Sequence, residues 1–404
     1  MNELNYNIEE EERIRRRKDR LEQMRREKKR QMKRRRRMKM LLNRGAGLVV
    51  IVLVMSIAVI AFKKKPEEAF YVQTETEENS EKKSWFWFQK EEKTKTDFSM
   101  ENMPQANNEN KEIQETQQKT KEDLSTEEEI PKEISFQENA DTVSIYNEKI
   151  ISTNAVLIDE STDTIVASKG AKERISPASM TKVLTILVAA EQLTEEQLND
   201  TFVMTREITD YGYINDCSAV GYLEGEKIPV RDLFYGTILP SGSDAAVGLA
   251  TYVAGSHEAF VDLMNEKLKE LGIASSSHVT NCVGLYDENH YSTVYDMAVI
   301  MKAAVQNEFC KKVLAEHNYT TTASTEHPEG LNISNWFLRR IEDKETGGEV
   351  LCAKTGYVRQ SKSCAVSYGT FAGGKPYICV TAGSSSSWRC IYDHVEIYTQ
   401  YISS

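Results

Sequence analysis

Core-forming apolar periodicity sets the first limit on this chain, because it begins only near Thr142 and then runs to the C-terminus. Of the 404 residues, about 260 therefore hold the material for one sizeable globular core. The preceding third divides into three textures. Residues 1–44 carry roughly eighteen Lys and Arg against about eight acids, so a net charge of -11 overall leaves the remainder near -21. Residues 45–62, from Gly45 to Phe62, are uncharged and just long enough to cross a hydrocarbon core as a helix. Residues 63–141 are rich in Glu, Lys, Thr, Gln and Asn with almost no aliphatic period. That composition cannot bury enough surface to offset chain entropy and predicts a disordered stalk.

The charge around the apolar run predicts its orientation. Arg34 to Arg37, Lys39 and Arg44 precede it, and Lys63 to Lys65 follow but are soon met by acids. The stronger positive flank stays inside, which predicts a single-pass membrane protein with a cytoplasmic N-terminus and residues 142–404 outside. A cleaved signal peptide is the rival reading, but the basic region is very long for one and no A-x-A site follows. The basic tail reads as a solvated topogenic segment or as a helix lying along an anionic leaflet; nucleic-acid binding is not expected of it. The cluster Trp85-Phe-Trp-Phe88 stands out from the stalk and suits the membrane interface, a partner or the folded domain equally well. All seven cysteines lie beyond residue 216, where disulfides are allowed, though the odd number leaves at least one unpaired. No Cys pairs as C-x-x-C and the six histidines are scattered, so neither a metal site nor another cofactor is expected.

Within the core-forming part, Ala155–Ile158 and Thr164–Ser168 read as strands of a hairpin turned by Glu160–Asp163. An apolar-periodic helix follows Ser176-Pro177 through Val183, Leu184, Ile186 and Leu187. Further helices are predicted near 231–253, 256–271, 293–305 and 389–402, and strands near 349–353, 363–370 and 376–383. Strands at both ends and helices between them predict an antiparallel sheet flanked by helices.

Three short motifs carry chemistry. Ser179 and Lys182 lie three apart in the first turn of the predicted helix and so share a face. A serine hydroxyl needs a base to become a nucleophile, and a buried lysine with a lowered pKa can be that base. The helix N-terminus favours negative charge developing on an attacked carbonyl. Alone, the pair is weak evidence, since an N-capping serine beside a solvated lysine has the same spacing. Ser241-Gly-Ser243 before a small-residue helix and Lys354-Thr-Gly356 in a predicted strand change that, because S-x-x-K, S-D-N and K-T-G together sign serine acyl-transfer sites. His290, in Glu288-Asn-His-Tyr291, reads as a loop-packing residue, Asp244 as a helix-start residue, and Arg231 and Asp232 as helix-start or surface charges.

The stretches Arg174-Ile-Ser-Pro-Ala-Ser-Met-Thr-Lys182, Val230-Arg-Asp-Leu-Phe-Tyr-Gly-Thr-Ile-Leu-Pro-Ser-Gly-Ser-Asp244 and Gly284-Leu-Tyr-Asp-Glu-Asn-His-Tyr-Ser-Thr293, with Lys354-Thr-Gly356, closely resemble the low-molecular-mass penicillin-binding proteins that are serine-type D-alanyl-D-alanine carboxypeptidases, peptidase family S11. The resemblance runs from about Asn154 to Ile402. It implies an α/β (α+β) penicillin-binding/β-lactamase-like domain, a five-stranded antiparallel sheet flanked by helices with a helical lobe. It implies that Ser179 forms an acyl-enzyme with the penultimate D-alanine of peptidoglycan peptides, that Lys182 takes its proton, and that Ser241 relays a proton to the leaving D-alanine. Lys354, Thr355, Gly356 and Ser243 would bind substrate, the backbone N–H groups of Ser179 and Tyr357 would form the oxyanion hole, and β-lactams would be trapped on Ser179.

The sequence departs from the family pattern in places. The second motif ends in Ser243 where asparagine is usual, and Val358-Arg-Gln-Ser-Lys-Ser363 lacks a small Ala-Gly step. Two other readings stay open on the same scaffold. A β-lactamase would need a Glu-x-x-Leu-Asn pattern, and the nearest string, Glu329-Gly-Leu-Asn332, is one residue short. A non-hydrolysing scaffold is favoured by Ser243 and opposed by the retained Ser179, Lys182, Ser241, Lys354 and Thr355.

Overall fold

The structure is a computed structural model and describes residues 134–402. The tail at 1–44, the apolar run at 45–62 and residues 63–133 of the expected stalk lie outside the described residues, whereas residues 134–141, expected in the stalk, pack on the domain: Phe136 is buried, its amide donates to Tyr295 Oη, and Gln137 bridges to Thr164. No described helix is long and apolar enough to cross a membrane.

Ten strands are described: β1 (Val143–Ser144), β2 (Asn154–Asp159), β3 (Thr164–Lys169), β4 (Thr201–Val203), β5 (Lys227–Pro229), β6 (Asn318–Thr320), β7 (Asn332–Ser334), β8 (Glu349–Val358), β9 (Lys362–Phe371) and β10 (Lys375–Ser384). The helices are α1 (Thr181–Gln192), α2 (Arg206–Asn215), α3 (Val230–Ile238), α4 (Ser243–Ala254), α5 (His257–Glu270), α6 (Val294–Gln306), α7 (Glu308–Ala315), α8 (Leu338–Ile341) and α9 (Ser387–Tyr401).

The main sheet has the order β1-β3-β2-β10-β9-β8. It therefore has six strands where five were expected. The extra one is the two-residue edge strand β1, which pairs parallel with β3 and is too short to leave a period in the sequence. The other pairings are antiparallel, and β2 meets β10 with Val156 opposite Val380 and Ile158 opposite Ile378. All six residues of β2 are buried because helices cover both faces. Alternation sends Ala155 and Leu157 to one face, with Ile397 and Tyr398 of α9, and Val156 and Ile158 to the other, with α1 and α6.

The predicted hairpin and the helix after Ser176-Pro177 form as expected. The helical pattern near 231–253 is two helices, with the second starting beside Asp244 as its helix-start reading expects: α3 ends at Ile238, and Ser241, at φ +62, turns the chain before α4 begins at Ser243. That turn lifts the second motif out of the helix and into the cleft.

Helix α1 is the central element of the helical lobe, buried from Thr181 to Ala189. Three of its side chains strap the 280–290 segment to it. Thr185 donates to the carbonyl of Cys282 at 2.7 Å, Lys182 to that of Val283 at 2.7 Å, and the Thr181 hydroxyl meets His290 Nε2 at 2.9 Å.

Candidate active site

Ser179 lies on a short 3-10 turn, Ala178–Met180, that leads directly into α1. Its local geometry is unusual: Ala178 has φ +49, in the left-handed region that a residue with a Cβ seldom occupies. The turn is held by close backbone approach on two sides. Gly284, at φ +83, presses against the Ala178 carbonyl so closely that a Cβ there would lie 1.8 Å from its oxygen. On the other side Gly356 of β8 admits the strand to the nucleophile, since a Cβ would come within 2.9 Å of the Ser179 nitrogen. The glycine of the third motif is thus needed for contact between strand and turn, and it brings the Tyr357 end of β8 beside the Ser179 amide.

Lys182 donates to Ser179 Oγ at 3.2 Å as well as to Val283. The lysine is 2% exposed, and burial pushes its pKa down to about 8, partly opposed by nearby Cys217, Cys282 and Asp244. An amine held near neutrality beside a serine hydroxyl is equipped to take its proton. Lys354, also buried, donates to Ser241 Oγ at 2.9 Å and to the carbonyl of Thr355 at 2.9 Å. Burial, and then the Lys182 charge, hold its pKa well below the ordinary lysine value. In this dry site burial and the Lys182 charge favour the neutral form of Lys354, and an arriving anionic group would favour its charged form again.

The residues singled out by motif therefore converge from three segments: Ser179 and Lys182 at the start of α1, Ser241 on the α3–α4 turn, and Lys354, half-buried Thr355 and Gly356 on β8. Tyr357 follows on the rim with its ring 68% exposed. Ser243 stands apart from these. It is 0% exposed, its hydroxyl has no hydrogen-bond partner among the described residues, and it packs against Gly212 of α2. Buried as it is, Ser243 offers no side-chain surface for a substrate to touch.

Several supporting residues carry no sequence signal of their role. Asn281 Oδ1 accepts from the amides of Val283, Gly284 and Leu285, shaping the turn that presents the Val283 carbonyl to Lys182. Asp244, expected to start a helix, also accepts from the amides of Val220, Gly221 and Tyr222, fixing the loop that runs past the second motif. Asp232, expected as a helix-start or surface charge, is in the first turn of α3 but buried, accepting from Tyr319 Oη and the Thr322 amide. His290 is a buried packing residue: Nδ1 accepts from the Thr280 amide, and burial lowers its pKa to about 4, keeping it neutral. No group of His, Cys, Asp or Glu among the described residues is arranged to hold a metal ion, and none of the seven cysteines forms a disulfide.

The family model described as D-alanyl-D-alanine carboxypeptidase matches residues 139–386, more than half of the sequence. The chain belongs to this family. The D-alanyl-D-alanine carboxypeptidase DacF of Bacillus subtilis (strain 168) is 32% identical over 213 residues, which are 52% of this chain and 52% of DacF. The D-alanyl-D-alanine carboxypeptidase of Streptomyces sp. (strain K15) is 29% identical over 249 residues, 59% of this chain and 82% of that enzyme. Among solved structures, the Streptomyces K15 DD-transpeptidase aligns with a TM-score of 0.56 at 25% identity, covering 63% of this chain and 98% of that one. A D-alanyl-D-alanine carboxypeptidase from Mycobacterium tuberculosis aligns with a TM-score of 0.55 at 25% identity, covering 64% and 95%. The D-alanyl-D-alanine carboxypeptidase fold is thus matched almost end to end, while the chain spans about half the length of DacF.

Proposed function

We propose that the protein is a penicillin-binding, serine-type D-alanyl-D-alanine carboxypeptidase that removes the terminal D-alanine from peptidoglycan peptides. The observation that carries this reading is the meeting of two lysine–serine pairs in one cleft, Lys182 with Ser179 at 3.2 Å and Lys354 with Ser241 at 2.9 Å. Lys182, neutral, takes the Ser179 proton as Oγ attacks the penultimate D-alanine carbonyl. The oxyanion is received by the amides of Ser179 and Tyr357, and the terminal carboxylate by Lys354 and the Thr355 hydroxyl. Ser241, bonded to Lys354, passes a proton to the departing D-alanine nitrogen, leaving an acyl-enzyme that water hydrolyses. The β-lactamase reading loses support because Glu329 lies exposed on the loop between β6 and β7.

The sequence outside the described residues supports a further part of the same reading: a single-pass anchor at 45–62, a cytoplasmic basic tail at 1–44, and a stalk at 63–133 that would span about 40–50 Å as a flexible chain, carrying the catalytic domain towards the wall. Protease digestion of intact cells tests it, since residues 142–404 would be cleaved from outside and the tail protected.

The catalytic proposal is tested by incubating the full chain with a fluorescent penicillin and locating the label by peptide mass. A persistent adduct on Ser179, absent from Ser179→Ala, together with release of D-alanine from a short D-Ala-D-Ala peptide, is the expected result. A correctly folded protein that takes no label would transfer support to a non-hydrolysing scaffold.

A further inference from the structure

An aromatic and basic patch lies outside the cleft. The Arg340 guanidinium of α8 lies over Trp336, 3.7 Å from its ring centroid, and 5.1 Å from that of Trp388 of α9, which meets Trp336 edge to face with centroids 5.7 Å apart. Trp388 stacks in turn on Tyr392, one turn along α9, with centroids 6.5 Å apart. These rings are not hidden: Trp388 is 47% and Tyr392 40% exposed, although the core beneath them is closed by Phe337, Leu338 and Ile391. Rings fixed against a guanidinium present broad faces at small entropy cost, and a patch of this kind on a soluble domain marks a contact surface.

Two further observations narrow the occupant. Arg340 Nε is buried without a hydrogen-bond partner, and neither Arg339 nor Arg340 has an acidic partner among the described residues. Arg340 Nη1 donates to the Trp336 carbonyl, which fixes the guanidinium, and the patch keeps a positive charge that no carboxylate among the described residues offsets, bordered by exposed Ser385, Ser386 and Ser387. It is also continuous with the catalytic strand, since Asn335, next to Trp336, donates to the carbonyl of Ala353, one residue before Lys354. Alternation along β8 sends Ala353 to the α9 side with Ile391 and Lys354 to the cleft, so the patch and the cleft lie on opposite faces of one edge strand.

We propose that Trp388, Tyr392 and Arg340 form a docking platform for the glycan of the wall polymer whose peptides enter the cleft. Pyranose rings lay their C–H faces on indole and phenol rings, N-acyl carbonyls accept from guanidinium, and the carboxylates of a peptide-bearing glycan complement a basic patch. The proposal rests on the carboxypeptidase reading for the identity of the polymer.

The test separates the two. Full-length protein carrying Ser179→Ala is titrated with peptide-stripped glycan strands, with and without Trp388→Ala and Tyr392→Ala. With Ser179 intact, D-alanine release is measured from a short soluble peptide and from intact wall. The aromatic variants are expected to bind glycan about tenfold more weakly and to release D-alanine from wall about tenfold more slowly, with short-peptide turnover within about twofold. Trp388→Phe should recover most of the loss. Unchanged glycan binding in folded variants overturns the platform, as does Trp388-dependent binding to anionic phospholipid vesicles without glycan binding. Failure of the short peptide and penicillin to react would count against the carboxypeptidase reading instead, and the Ser179→Ala titration would still decide the platform.

Discussion

The Lys182 ammonium reaches the main-chain carbonyl of Val283 at 2.7 Å, nearer than the 3.2 Å to the Ser179 hydroxyl whose proton the proposed mechanism has it take. The carbonyl fixes the lysine so that loss of its proton leaves the amine already aimed at Ser179 Oγ. Fixing a base by a backbone group, which has no side chain to move, is a form of preorganisation that α1 and the 280–285 turn build together.

A first prediction concerns pH. Burial lowers the Lys182 pKa from 10.5 to about 8, so about a tenth of the molecules hold it neutral at pH 7. The second-order rate of acylation by a penicillin should rise about tenfold per pH unit below 8 and level off above it. A flat profile from pH 6 to pH 9, measured by stopped-flow, would remove Lys182 from the role of base. Lys182→Arg, permanently charged, should fold and fail to acylate.

Asn281 should matter as much as residues inside the motifs. Asn281→Ala strands three amides at once, two of them buried, and a loss of about 2–4 kcal/mol in urea unfolding is expected. Acylation of the protein that remains folded should be at least about tenfold slower, because the Val283 carbonyl is no longer held under Lys182.

Gly356→Ala and Ser243→Ala should behave in opposite ways. A methyl at 356 would press on the Ser179 nitrogen at 2.9 Å, and displacing the nucleophile should cost about a hundredfold in acylation rate. The Ser243 hydroxyl is buried without a partner, so removing it should leave the thermal midpoint unchanged or raised and acylation within about threefold. A large loss of acylation in Ser243→Ala would show that this hydroxyl turns towards substrate after all.

Cysteine labelling offers an independent check of the packing. Cys217 is half-buried, whereas the other six are buried, with burial raising the thiols of Cys282, Cys352 and Cys364 to about 12. Brief maleimide treatment of the native protein at neutral pH should modify Cys217 alone, and all seven should react after denaturation. Modification of any other cysteine in the native state would show that the core opens there.

The elements that could be read in advance are those with a local signature. The β2–β3 hairpin and α1 follow from period and turn chemistry, and the four converging residues Ser179, Lys182, Ser241 and Lys354 from motif spacing. What escaped depends on partners far away in the chain. Asn281 looks like any polar loop residue until its carboxamide is seen bridging three amides, and Asp232 looks like a surface charge until Tyr319 and Thr322 arrive above it. The break at Ser241 is legible locally, in Pro240, Gly242 and the helix start at Asp244, although the apolar pattern runs on through 231–253. Ser243 was read by its motif position, whereas burial against Gly212 is set by how α2 packs on α4.

The strand order has a consequence for how the protein is made. Strand β2 is synthesised early, yet its neighbour on one side is β10, with Val156 facing Val380, and the strand that carries Lys354 joins the sheet only through β9 and β10. Pairings so distant in sequence are slow to find and cannot form while the later residues are still inside the ribosome. A partly made chain therefore holds Ser179 with neither Lys354 in the cleft nor Gly356 against its amide. The order of the strands leaves the cleft unfinished until the last three have been made and have paired.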